Sequence, residues 1–156
     1  MSDSEQAVRY LEDIDAQTTI DCGEVTVSAA EIVDFAEQFD PLDIHTDATA
    51  ASESRYDGLI ASGYHTLSLS VRLLVEEVRS KRAVVAGLGI DDVRWHAPVR
   101  PGDMLAVETT VTETRPSESD PNAGIVRERI SVTNQSGTEV LSLENHELVE
   151  RRNPAQ

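Results

Sequence analysis

The sequence predicts an α+β layer fold, an antiparallel sheet with helices on one face. Two observations carry this. Apolar residues in the first half recur at helical spacing, in one short helix and then a long one. The second half turns to consecutive runs of Val, Ile, Leu and Thr separated by turn residues. The 156 residues suit one domain, 1–156, with a single core.

The elements follow in order. Residues 1–18 are expected to form a mobile, polar N-terminal segment. Residues 22–27 read as a short strand. Ser28 then provides an N-cap, and Glu31 completes a capping box. Val27 and Ile32 are spaced as a hydrophobic staple. Ile32, Phe35, Ala36 and Phe39 make one apolar stripe. Pro41 disfavours helical geometry at Asp40, so the helix stops there and Asp40 occupies a fixed corner. Thr46 or Asp47 caps a short helix to about Ala50, and residues 54–58 form a loop.

From Gly63 the pattern is helical again, with no Pro or Gly before Gly87. Tyr64, Leu67, Val71, Leu74 and Val78 repeat at three- and four-residue steps, widened by Leu73 and Val75. Apolar residues on more than one side imply a helix covered by both a sheet and a partner. Arg79, Lys81 and Arg82 suit the negative pole at its end. Strand runs are expected at 83–88, 93–99, 104–114, 125–134 and 139–149, with a turn at Arg100-Pro101-Gly102-Asp103 and a hairpin at Gln135-Ser136-Gly137-Thr138. Residues 151–156 are a tail.

Composition excludes several classes. The net charge is −16, from 29 acidic and 13 basic side chains, of which only Lys81 is a lysine. Such a surface repels nucleic acid and anionic lipid. It suits a cytoplasm of high salt, where screening offsets repulsion among surface carboxylates. No apolar run approaches the roughly 20 residues needed to cross a membrane, and the start, MSDSEQAVRY, is unlike a secretory signal. Cys22 is alone, so no internal disulfide forms and a reducing, cytoplasmic setting is expected.

Chemistry concentrates in residues 40–66. Asp40 and His45 lie five residues apart, and a helix begins after Ala61-Ser62-Gly63. An acid, an imidazole and a helix N-terminus are the parts for proton transfer beside a developing negative charge. A metal bound by Asp40, Asp43, His45 and Asp47 is the alternative, but in so acidic a chain such clusters arise by chance. Ser62 lacks the flanking glycines of a nucleophile elbow and reads as the N-cap of the long helix. His65 reads as packed or bonded at the helix start.

Four segments carry a family resemblance. Phe39-Asp40-Pro41-Leu42-Asp43-Ile44-His45-Thr46-Asp47 resembles the hydratase motif of the MaoC-like dehydratases, the R-specific enoyl-CoA hydratase group of the hotdog fold. The segment from Gly58 to Thr66 is similar to that family's entry into its central helix. Val93-Arg94-Trp95-His96-Ala97-Pro98-Val99-Arg100-Pro101-Gly102-Asp103 resembles its strand–turn segment, and Asn134-Gln135-Ser136-Gly137 its last hairpin.

The resemblance implies a long helix wrapped by a curved antiparallel sheet, a homodimer, and an acyl-CoA tunnel near the dimer interface. It implies that Asp40 and His45 form the acid/base pair and that the Gly63 amide faces the thioester oxygen, with Ser62 and Tyr64 beside the substrate. It implies no metal and no organic cofactor. The chain departs from the family in one place: Leu42-Asp43 stands where many members have Asn-Pro. Arg94, Trp95 and Arg100 either pack at the sheet or, for the arginines, meet CoA phosphates. The expected reaction is hydration of a 2-enoyl-CoA. Thioester hydrolysis and a non-catalytic acyl-binding subunit are its rivals.

Overall fold

The fold is that of a computed structural model that describes residues 7–153. A strand, β1 (Thr19–Thr26), precedes three helices, α1 (Ala29–Phe39), α2 (Asp43–Thr46) and α3 (Ala48–Ser52). The central helix α4 (Gly63–Glu77) follows, then β2 (Val84–Trp95), β3 (Met104–Pro116), β4 (Ala123–Thr133) and β5 (Glu139–Glu150). The five strands make one antiparallel sheet in the order β1-β3-β4-β5-β2. It curves around α4, so the molecule is the expected α+β hotdog.

Alternation builds the concave face. Leu105, Val107 and Val111 of β3, Val126, Ile130 and Val132 of β4, and Leu141, Leu143 and Val149 of β5 are all buried at two-residue steps or multiples of two. Leu74 and Val78, at the end of α4, join this core. Each fully buried side chain of this size stabilises the fold by about 1.5–3 kcal/mol.

The Ser28 N-cap of α1 forms as read, but the capping box does not close: the Glu31 carboxylate takes the Ser28 hydroxyl rather than its backbone N–H. Ser28 Oγ accepts the Glu31 amide at 3.1 Å and donates to Glu31 Oε1 at 2.8 Å. Val27 and Ile32 are fully buried at the staple positions. The stripe runs out at the last helical residue: Phe39 is 68 % exposed, its ring 5.1 Å from that of Phe35.

Helix α4 has two characters. Thr66, Ser70 and Leu74, four residues apart, are buried against the sheet, and Ser70 Oγ is satisfied by the Leu67 carbonyl. Tyr64, Val71 and Val75 lie on a different side and are exposed. The apolar periodicity therefore marks more than the sheet-facing side.

Several expectations are corrected. The runs 83–88 and 93–99 are not two strands. One strand spans Val84–Trp95, interrupted by three register shifts that let it curve, the last between Asp91 and Arg94, where Asp92 has φ 51°. Residues 96–99 are a connector, held by Ala61 donating to the Val99 carbonyl. The first strand starts at Thr19 rather than 22, with a bulge at Gly23. Of the segment 1–18, residues 1–6 lie outside the described ones; residues 7–9 are exposed, while Leu11 and Ile14 are buried in a second cluster with Val111, Val126 and Val149. In the tail, Arg152 pairs with Asp13; residues 154–156 also lie outside the described ones.

Two of the three cations after α4 do more than face its dipole. Arg82 Nη1 lies 3.2 Å from Glu128 Oε2 and 2.6 Å from Glu147 Oε1, and Arg79 Nε lies 2.9 Å from Glu147 Oε2. Both glutamates are fully buried on the concave face. Thr109 and Asn145 add hydrogen bonds to Glu128. Periodicity hid this cluster, because the two acids occupy positions that alternation reserves for apolar side chains. Burial, with the Glu128 charge beside it, pushes the Glu147 carboxyl above its ordinary range.

Candidate active site

Asp40 and His45 are placed by consecutive corners. Helix α1 ends as Asp40 donates its amide to the Ala36 carbonyl, and Asp40 leaves helical geometry at φ −154°, ψ 68°. Pro41 enforces the break. The chain then makes one turn of helix, α2, which no pattern in the sequence marks, and His45 lies on it, buried. Asp47 Oδ1 accepts the Thr49 and Ala50 amides and caps α3, which gives that carboxylate a structural task.

The two side chains meet. His45 Nε2 stands 3.5 Å from Asp40 Oδ2. His45 Nδ1 lies 2.7 Å from the carbonyl oxygen of Ile60, which accepts its proton. That bond leaves Nε2 as a lone pair in the neutral ring, turned toward the carboxylate. Ser62 Oγ donates to Asp40 Oδ2 at 2.7 Å and accepts the Tyr64 amide at 3.2 Å. Ser62 is thus the N-cap of α4, as read, and also the link between that helix and Asp40.

Gly63 is the first residue of α4, so its amide has no acceptor within the helix. Among the described residues it donates to none. His45, Gly63 and Tyr64 line one cleft of about 390 Å³, with Ile60, Ala61, Trp95, Pro98 and Val99 as apolar walls. A larger cavity, about 910 Å³, lies at the far end of α4 between Arg9, Ile14, Val78 and Lys81, and none of the predicted site residues lines it. Three of the expected site residues line the smaller cleft; Asp40 and Ser62 are not among its lining residues, and Asp40 adjoins it through His45.

Around the cleft, Tyr64 is 58 % exposed and meets Trp95 edge-on, ring centroids 5.7 Å apart. His65 faces away and stacks on Phe35 at 4.7 Å; burial lowers its pKa. Arg100 is bound to the Tyr56 carbonyl, and Arg94 to the carbonyl of Val93. Cys22 is buried, and desolvation pushes its thiol up to about 11, which keeps it unreactive. Among the described residues, one group of three has metal-ligand spacing, Asp91, Glu144 and His146. It lies on the convex face and includes none of the residues weighed from sequence. At the site, sequence reasoning missed the contact of Trp95 on Gly63; the only signal was that an aromatic lies within the strand–turn segment 93–103.

A curved sheet around one helix defines a hotdog protein, and here a carboxylate and an imidazole converge at that helix's N-terminus. Comparison places it further. The family profile described as MaoC like domain matches residues 14–134, and the chain belongs to that family. The chain is 34 % identical over 125 residues to the uncharacterized protein YdeM of Bacillus subtilis, covering 80 % of this chain and 87 % of that one. It is 31 % identical over 109 residues to the mesaconyl-CoA hydratase of Haloarcula hispanica, covering 69 % of this chain but 30 % of the hydratase. The chain thus spans under a third of that relative. The MaoC-like dehydratase of Rhodospirillum rubrum superposes with a TM-score of 0.84 at 38 % identity, over 93 % of this chain and 99 % of that one. A Mycobacterium tuberculosis protein with a double hotdog fold superposes at 0.79 with 17 % identity, over 96 % of this chain and 46 % of that one, a likeness of fold.

Proposed function

We propose that this protein adds water reversibly to trans-2-enoyl-CoA, giving (R)-3-hydroxyacyl-CoA. The observation that carries the reading is the 3.5 Å approach of His45 Nε2 to Asp40 Oδ2, with Nδ1 held by Ile60. With Asp40 ionised and His45 neutral, two acceptors face one place, which suits a water donating one hydrogen to each. The water oxygen bonds to C3 and gives one proton to the pair. A proton from the pair goes to C2, and the pair ends as it began.

Between these events the thioester oxygen carries negative charge, and the Gly63 amide is the donor turned to it. Each positioned proton transfer is worth about 10²–10⁴ in rate, and one such donor about 3–4 kcal/mol. The apolar walls of the cleft suit an acyl chain. No metal or organic cofactor enters the proposed steps.

We place the protein as a cytoplasmic homodimer. The exposed Tyr64, Val71 and Val75 of α4, with Val85, Leu88 and Ile90 on the edge strand β2, support a second copy as the missing cover.

The test is hydration of crotonyl-CoA. Asp40→Asn and His45→Gln are expected to lower kcat by at least about 100-fold while the fold survives. Near wild-type turnover in both ends the assignment. Free thiol released from saturated acyl-CoA would instead favour thioester hydrolysis.

A further inference from the structure

Trp95 is placed against the start of α4 by an irregularity in its strand. Asp91 pairs with Glu144 and Arg94 with Ser142, so three steps on β2 match two on β5. One extra residue reverses which side chains face inward from there on. Trp95 therefore pairs with Leu141, which is fully buried on the concave face, and turns toward the helix. In an unbroken ladder Arg94 would take that place.

The indole then fills a specific gap. A Cβ on Gly63 would lie 2.5 Å from Trp95 Cε2 and 2.6 Å from Nε1. The indole N–H donates to the Gly63 carbonyl at 2.8 Å. The missing side chain at 63 thus makes room for Trp95. Trp95 is nonetheless 45 % exposed and lines the cleft, so its placement is not explained by core burial.

We propose that Trp95 is a positioning residue for the Gly63 amide. This rests on the hydratase reading above. The ring bears on Gly63 Cα while its N–H holds the carbonyl of the following peptide unit. Together they restrict the backbone on the C-terminal side of the amide, and Ser62, capping Tyr64 and bonded to Asp40, restricts the other side. First turns of helices fray unless held, and a donor displaced by a fraction of an ångström loses much of its worth to a developing charge.

The experiment compares wild type with Trp95→Phe and Trp95→Leu, using crotonyl-CoA turnover and thermal melts. Trp95→Phe keeps a ring over Gly63 and removes the hydrogen bond; Trp95→Leu removes both. A positioning role predicts kcat falling about 10-fold in the first and about 100-fold in the second, with KM within about 3-fold, because the amide acts mainly in the transition state. The Trp95→Phe melt stays near that of wild type, so this variant reports even if Trp95→Leu fails to fold. Trp95→Phe with unchanged kcat, or with its loss confined to KM, overturns the inference and leaves the hydratase reading standing. A folded wild type inert toward enoyl-CoA overturns both.

Discussion

Ser62 Oγ donates a 2.7 Å hydrogen bond to Asp40 Oδ2, the same oxygen that faces His45 Nε2. The bond spans 22 residues of sequence and ties the end of α1 to the start of α4. It also fixes which carboxylate oxygen is turned to the imidazole.

Ser62→Ala should therefore affect two quantities at once. Losing the N-cap lowers stability by about 1 kcal/mol. Losing the hold on Asp40 lowers kcat for crotonyl-CoA by about 10-fold or more. Urea unfolding and turnover measured on the same preparation check both. A loss of stability with kcat unchanged would reduce Ser62 to a cap.

Arg82→Met should be severe. It leaves Glu128 and Glu147 buried without the guanidinium between them, and breaking such a pair costs about 3–5 kcal/mol. Glu147→Gln, which keeps the shape and removes one charge, should cost less. Urea midpoints rank the two against wild type; both variants unfolding at the wild-type midpoint would mean that the cluster contributes nothing net.

His65 should make stability depend on pH near neutrality. Its ring is buried on Phe35, and desolvation lowers its pKa from 6.5. The folded protein resists protonation there, so the unfolded chain takes the proton first. Stability from the neutral ring is present above pH 6.5 and is lost as pH falls through the lowered value. Urea midpoints at pH 7.5, 6 and 5 should fall more steeply for wild type than for His65→Phe. Parallel slopes would refute this.

The surface charge of −16 should make the melting temperature rise with KCl. The screening length falls from about 10 Å at 0.1 M to about 3 Å at 1 M, which relieves repulsion among exposed carboxylates. Identical melts at low and multimolar KCl would remove the high-salt expectation.

Local signals were legible in the sequence. The Ser28 cap, the stop at Asp40, the start of α4 at Gly63 and the Asn134–Thr138 hairpin depend on neighbours a few residues away, and they form as read. The His45 helical turn, α2, was missed because four residues are too few to show a period. Strand β2 was split in two because its bulges interrupt the alternation that identifies a strand.

By itself, then, the sequence determined the fold class, the family and the bounds where α1 stops and α4 starts, since each is written in short-range pattern or motif. Only the tertiary structure decided that Ile60 selects the His45 tautomer, that Ser62 holds Asp40, that Trp95 fills the notch at Gly63, and that Arg82 bridges two buried glutamates. Those partners lie 15 to 65 residues apart. Spacings of that length carry no periodic signal, and the contacts exist because sheet curvature and one extra residue in β2 bring the side chains together.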